Sequence, residues 1–130
     1  MREILVQRNK DFYNEYLKLK SHLPDFASIK KRHIYEMIVK LKAPRFYIDF
    51  DTARIYITYR KKGTYPPQIR TEKRRMCDDL YNVYLQLEKE YPLWYSKDII
   101  SKVIMMPAPS FYINTQTARQ IIINGNLNRL

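Results

Sequence analysis

Apolar and aromatic residues recur at helical spacing in two separate segments of the chain. Tyr13, Tyr16 and Leu17 share one helix face at i, i+3 and i+4. The same spacing recurs 68 residues later, at Tyr81, Tyr84 and Leu85. Pro24 and Pro92 follow these segments, and proline cannot continue a helix. We therefore predict one helix before each proline, with its tyrosine stripe in the core.

A second helix is predicted after each of these prolines. Ser28 and Ser96 are suitable N-caps, so the two helices are expected to begin there. In the first half, the apolar positions then fall at i, i+3, i+4 and i+7: Ile34, Met37, Ile38 and Leu41. This pattern is typical of an amphipathic helix with one buried face.

A short aromatic segment follows each second helix, at 43–48 and 108–113. Its β-prone residues predict a short strand, and the two strands are expected to pair as a ribbon. Asp49 and Asn114 are good N-caps for a third helix, which is expected to run toward Gly63 in one half and Gly125 in the other. Gly125 is assigned as the residue after the helix end. A second strand at 55–59 is the competing interpretation.

The residues themselves repeat along the chain. The sequence Ala-Pro-x-Phe-Tyr-Ile begins at residues 43 and 108, and Thr-Ala-Arg begins at residues 52 and 117. The spacing falls from 68 to 65 because the first copy is three residues longer between Ser28 and Ala43. We predict a tandem duplication in a mainly α fold with short β segments, each repeat being helix, helix, strand, helix. The expected single, pseudo-two-fold domain 1–130 comprises repeat 1 at 1–63, a Pro-containing joint at 64–75 and repeat 2 at 76–130.

The net positive charge of the chain comes from residues 1–75. The 130 residues have a net charge of +11. Residues 1–59 have a net charge of +5, residues 60–75 of +6 and residues 76–130 of zero. Such an asymmetry indicates a polyanionic partner, whereas a solvated linker is the simpler alternative. We predict binding to nucleic acid, with DNA preferred to RNA and phosphate contacts dominant.

The candidate contacts lie near the start of the second helix, on the third helix and in the joint. They are Lys30, Lys31, Arg32, Arg54, Arg60, Lys61, Lys62, Arg70, Lys73, Arg74 and Arg75. Arg54 and its repeat Arg119 fit an ion pair or a cap as well as a phosphate contact. The turn before the third helix is too long for a standard helix-turn-helix motif.

Catalytic and metal-binding patterns are not found in the sequence. His22 and His33 have no counterpart in the second copy, and Asp78 and Asp79 are interpreted as first-turn acids that complement a helix dipole. Cys77 is the only cysteine, which fits a reducing cytosol. We expect no enzyme activity, no cofactor, no metal and no membrane association, and we expect the protein in the cytoplasm of a bacterial or phage-infected cell.

The stretch Pro-Ala-Pro-Ser-Phe-Tyr-Ile at 107–113, followed by Ala118 and Arg119, resembles a motif in small proteins of gut-bacterial phages and mobile elements. The resemblance brings no established activity. It implies a bacterial or phage setting, in which small basic proteins serve DNA transactions or virion assembly. The alternative function is therefore a phage virion component or adaptor whose basic joint grips an acidic partner or packaged DNA.

Overall fold

Residues 2–130 are described by a computed structural model, and they form six α-helices. These are α1 (Arg2–His22), α2 (Lys31–Ile38), α3 (Phe50–Lys61), α4 (Thr71–Glu90), α5 (Ser96–Val103) and α6 (Thr115–Asn126), with a 3₁₀ turn at Phe26–Ser28. The predicted mainly helical class is confirmed. The helices α1 and α4 end before Pro24 and Pro92, as predicted.

No β-sheet is formed by residues 2–130, so the segments predicted to be short strands lie outside any strand. In the first segment, the consecutive side chains of Phe46, Tyr47 and Ile48 are all buried. A half-exposed strand would instead bury every second side chain. Residues 55–59 lie within α3, so the competing strand interpretation is also wrong.

The chain divides into two compact units whose boundaries fall within the two Ala-Pro motifs. Unit 1 is Pro44–Ala108, and unit 2 combines Arg2–Ala43 with Pro109–Leu130. Unit 1 therefore contains α3, α4 and α5, whereas unit 2 contains α1, the 3₁₀ turn, α2 and α6. Each unit takes two helices from one half of the chain and its third helix from the other half.

The core of unit 2 is built where α6 packs against α1 and α2. Phe12 of α1 is fully buried and meets Phe111 edge-on, with ring centroids 5.2 Å apart. Tyr16, one turn later, is also buried, but Leu17 is exposed. The buried face of α1 therefore runs through residues 12 and 16. The prediction that Leu17 belongs to the buried face was wrong.

The core of unit 1 follows the same pattern on α4. Leu80 and Tyr84 are buried on successive turns, whereas Leu85 is exposed. From α3, Ala53 and Ile57 are buried one turn apart.

The third helix of each half begins at the predicted cap. The side chain of Asp49 accepts a hydrogen bond from the Thr52 backbone N–H at 2.8 Å, and Asn114 does the same for Thr117 at 2.8 Å. Each cap satisfies a backbone donor that has no partner within the helix.

The same two helices end in matching left-handed turns. Gly63 follows α3 with φ +77°, and Asn128 follows α6 with φ +56°. Hydrogen bonds from Gly63 N to Arg60 O and from Thr64 N to Tyr59 O complete a Schellman motif, and Asn128 begins the equivalent turn. Gly125, which was predicted to follow the helix, instead lies inside α6 and is buried.

The helix α5 begins at Ser96, as predicted, but its N-cap is Tyr95, not Ser96. The helix α2 begins at Lys31, three residues after Ser28, and its N-cap is Lys30. Ser28 does not cap α2 because it belongs to the 3₁₀ turn, two residues before the N-cap, where its hydroxyl donates to the Asp25 carbonyl at 2.7 Å.

Pro24 and Pro92 are 68 residues apart, whereas the N-caps Lys30 and Tyr95 are 65 apart, so the difference of three residues arises before Lys30 and not between Ser28 and Ala43 as predicted. The 3₁₀ turn Phe26–Ser28 occupies this position and has this length.

Gly125 is required by the close approach of α1 to α6. A Cβ atom at this position would overlap the ring of Tyr13. We expect Gly125→Ala to lower the free energy of unfolding by about 1–3 kcal/mol, as overpacking does. Chemical denaturation measures this, and the loss should be smaller when Gly125→Ala is introduced into a Tyr13→Ala background. Equal losses in both backgrounds would contradict the proposed overlap.

The two N-caps should differ in their response to pH. Hydrogen bonds from the side chain and backbone of Thr52 lower the pKa of Asp49. A carboxylate with a lowered pKa stabilises the fold above its unfolded pKa of about 3.9, and this contribution is lost as pH falls through the folded pKa. At neutral pH, Asp49→Ala and Asn114→Ala should each cost about 1 kcal/mol. In acid, only the cost of Asp49→Ala should shrink, and parallel pH profiles of the two variants would contradict this account.

Candidate polyanion-binding surface

The predicted basic segment lies entirely in unit 1, where it joins two packed helices. Arg60 and Lys61 form the last turn of α3, and Lys62 is its C-cap. Arg70 is the N-cap of α4, which begins at Thr71. The second part of the predicted joint, 71–75, is therefore helical, and the linking segment is shorter than predicted.

A four-residue cluster, which we call the Tyr65 clamp, ties this link to both helices. It consists of Arg60, Tyr65, Arg74 and Asp78. The Tyr65 hydroxyl donates to the Asp78 carboxylate, with oxygen distances of 2.8 and 3.0 Å. The Arg60 guanidinium lies 4.2 Å from the Tyr65 ring centroid, and its Nε is 3.1 Å from Asp78 Oδ1. The guanidinium carbon of Arg74 lies 5.5 Å from the same centroid.

The Tyr65 clamp changes the predicted role of Arg60 and the interpretation of Asp78. The ion pair with Asp78 compensates the charge of Arg60, so this arginine organises the surface instead of presenting a free charge. Asp78 lies well inside α4, not in its first turn as predicted, because the helix starts at Thr71. The hydrogen bond to Asp78 raises the pKa of Tyr65 above its ordinary value.

Lys61 is also held within unit 1. Its Nζ lies 4.6 Å from the Tyr84 ring centroid and donates to the Tyr84 hydroxyl at 3.0 Å. The same hydroxyl lies 3.0 Å from Ser96 Oγ. Lys61 therefore joins α3 to the middle of α4 and to the start of α5.

The remaining basic side chains of the segment face solvent to different degrees. Lys62, Arg70 and Arg75 are exposed and make no ion pair or aromatic contact within residues 2–130. Arg74 is exposed on one side of the Tyr65 clamp, and Lys73 is half-buried. Lys62, Arg70 and Arg75 are consequently the side chains best placed to meet an anion.

The outer face of α3 continues this surface. Arg54, Thr58 and Lys62 follow one another at i, i+4 and i+8, and with Ile55 and Tyr59 they line a groove of about 330 Å³. Arg54 is exposed and forms no ion pair in the described part of the chain. The ion pair, which was one of the alternatives predicted for Arg54, is therefore not formed within residues 2–130.

The cluster Lys30, Lys31 and Arg32 belongs to unit 2. Lys30 is the N-cap of α2, and Lys31 and Arg32 are its first two residues. All three are exposed. The structure therefore brings together the candidates from 54 to 75 within unit 1, and it places 30–32 in the other unit.

Comparison with protein family models, with curated protein sequences and with solved structures finds no match. Within residues 2–130, no three His, Cys, Asp or Glu side chains are grouped to hold a metal ion. No helix among these residues has the length and apolar character needed to span a membrane.

Cys77 is fully buried in α4. Burial raises the pKa of its thiol to about 11, because the charged thiolate is poorly solvated there. At neutral pH the residue is a protonated thiol that packs as a small apolar side chain.

The sequence analysis did not identify Tyr65 or Asp78 as parts of the basic surface. Tyr65 stands between Gly63 and two prolines, where no periodic pattern places it on a face. The excess of arginine around an isolated tyrosine and aspartate is the signal that sequence analysis could have used.

Removing the Tyr65 hydroxyl should weaken the link between α3 and α4. We expect Tyr65→Phe to lower the urea midpoint of unfolding, because Asp78 loses a hydrogen bond. A raised folded pKa stabilises the protein below the unfolded tyrosine pKa of about 10, and this contribution is lost as pH rises through the folded pKa. The difference between wild type and Tyr65→Phe should thus be constant near neutral pH and shrink in alkali. A difference that does not change with pH would contradict this role.

Proposed function

We propose that this protein binds duplex DNA through the surface formed by the end of α3, the link and the start of α4. The observation that carries this proposal is the concentration of seven basic residues between 60 and 75, with Glu72 as the only acid among them. All of them belong to unit 1. Like charges at this density repel one another, and a polyanion relieves that repulsion.

The Tyr65 clamp supports this proposal because it limits the freedom of the basic segment. A basic loop that is already ordered loses less conformational entropy on binding than a flexible one. Lys62, Arg70 and Arg75 then contact phosphates, while Arg60 and Lys61 maintain the surface through Asp78 and Tyr84. Phosphate contacts of this kind position the protein without reading base sequence.

The groove along α3 supplies a second row of contacts. Arg54 and Lys62 lie at its two ends, with the polar side chain of Thr58 between them. The Thr58 hydroxyl donates to the Arg54 carbonyl at 2.8 Å, so the phosphate contacts of this row come from Arg54 and Lys62. Lys30, Lys31 and Arg32 lie in the other unit, so their predicted DNA contact does not contribute to this argument.

Exposed apolar residues after α4 favour a second candidate function, that of a phage virion component or adaptor. Leu93 is 95% exposed and Tyr95 is 74% exposed. Between them, Trp94 stacks on Tyr91 with ring centroids 4.2 Å apart. Exposed tryptophan and tyrosine side chains are typical anchors for a protein partner.

The predicted tandem duplication is also retained as a proposal. It is supported by the matched helix order, by the equal lengths of α2 and α5 and of α3 and α6, and by the equivalent caps at Asp49 and Asn114. In this proposal, the third helices of the two repeats have been exchanged between the two units. The predicted single-domain arrangement stays a prediction.

Replacing the exposed cations tests the DNA-binding proposal. We expect wild-type protein to shift duplex DNA in a gel at low salt, with affinity falling linearly on a log–log plot against salt. The triple variant Lys62→Gln, Arg70→Gln, Arg75→Gln should bind more weakly to every sequence. Its salt slope should fall by about one for each phosphate contact removed.

The matched control removes the same charge from unit 2, through Lys10→Gln, Lys40→Gln and Lys42→Gln. These lysines are exposed, so the variant should fold and bind nearly as well as the wild type. If the two triple variants lost DNA affinity equally, binding would depend on the overall charge of the protein, which would contradict the proposed surface. No binding by the wild type at low salt would reject DNA binding, and stoichiometric recovery of the chain in a purified phage particle would then support the adaptor function.

A further inference from the structure

A recess of about 150 Å³ lies in unit 2 among α1, the 3₁₀ turn, α2 and α6. Its apolar lining includes Phe26, Ile34 and Ile122, and its polar lining includes Tyr16 and Lys31. The rings of Tyr16 and Phe26 meet edge-on with centroids 5.9 Å apart, so they form an aromatic wall. An apolar cavity of about 150 Å³ is large enough to hold benzene.

The equivalent position in unit 1 is occupied by a side chain of the protein itself. There Lys61 lies over the ring of Tyr84 and donates to its hydroxyl, at 3.0 Å. Ser96 Oγ is 3.0 Å from the same hydroxyl. By their positions on equivalent helices, Tyr84 corresponds to Tyr16 and Lys61 corresponds to Asn126.

These contacts are replaced by others in unit 2. Asn126 has a shorter side chain than lysine, and its Oδ1 accepts a hydrogen bond from the Tyr13 hydroxyl at 2.8 Å. The Tyr16 hydroxyl makes no hydrogen bond within residues 2–130, although most of the side chain is buried. The recess therefore contains a hydroxyl group that no other part of the described chain engages and that is available to a ligand.

The charge at the recess favours an anionic ligand. Lys31 lines it, and Lys30 and Arg32 are its neighbours in sequence. The first turn of α2 contains no acid, and no side chain caps its N-terminus. The positive end of the helix dipole thus adds to the charge of Lys31.

We propose that this recess binds a small aromatic carboxylate. The ring packs against Phe26, Ile34 and Ile122, while the carboxylate accepts hydrogen bonds from the Lys31 ammonium and the Tyr16 hydroxyl. The size of the recess limits the ring to about that of benzene. This binding site is separate from the DNA-binding surface and does not depend on it.

Benzoate is the probe for this site, and the isoleucine methyl groups report where it binds. Titration of the full-length protein should shift the methyl resonances of Ile34, Ile122 and Ile123, which line the recess. The equivalent residues of unit 1, Ile57 and Ile99, should not move. For so small a ligand we expect a dissociation constant of about 1 mM.

Two substitutions at Asn126 separate the recess from the general stability of unit 2. Asn126→Lys reproduces the residue found at position 61 and should fill the recess, so benzoate binding is lost. Asn126→Ala removes the same hydrogen bond with Tyr13 but leaves the recess open, so binding should persist. The amide spectrum of each variant verifies that it is folded.

Lys31→Gln tests the recognition of the carboxylate. It should weaken benzoate binding about tenfold and leave the weaker binding of benzyl alcohol unchanged, and Lys40→Gln is the charge-matched control. Shifts confined to backbone amides at the exposed start of α2, without isoleucine shifts, would overturn the proposal. Undiminished binding to a folded Asn126→Lys variant, or equal binding of benzoate and benzyl alcohol to the wild type, would also overturn it.

Discussion

The closing of unit 2 by α6 is the constraint on which the arrangement of the chain depends. Two helices such as α1 and α2 leave part of their apolar faces uncovered, and a third helix must bury them. That helix comes from the other end of the chain, since the hydrogen-bonded residues Tyr13 and Asn126 are 113 positions apart. Loop-closure entropy grows only slowly with length, by about 0.6 kcal/mol per doubling, so all of unit 1 fits between these helices at modest entropic cost.

Within unit 1, opposite demands meet at the Tyr65 clamp. The basic side chains around the link repel one another, yet α3 and α4 must pack closely there. Asp78 resolves this conflict because it accepts a hydrogen bond from the Tyr65 hydroxyl and forms an ion pair with Arg60. Stabilisation by one carboxylate leaves Lys62, Arg70 and Arg75 unpaired in the described chain. Within the same segment, Arg60 and Tyr65 thus hold the two helices together. Other residues provide the unpaired charges.

Local chemistry determined what could be predicted from the sequence. The caps at Asp49 and Asn114 and the helix ends before the prolines involve residues only a few positions apart. The packing of α6 against α1 and α2 is long-range, and the contact between Tyr65 and Asp78 depends on a loop, so no periodic pattern reveals them. Gly125 was misassigned because a glycine near a helix end fits a left-handed turn as well as a close helix contact. That turn is made by Asn128.

Because unit 2 is built from two separate segments, it cannot be completed on the ribosome until the second segment has been synthesised. The helices α1 and α2 are synthesised before unit 1, and α6 is synthesised after it. Throughout translation of residues 44–108, the apolar side chains of Phe12, Ile34 and Ile38 lack their final cover. All three helices of unit 1, by contrast, are complete before α6 exists. Nascent chains thus carry an exposed apolar face on α1 and α2 until α6 has been synthesised.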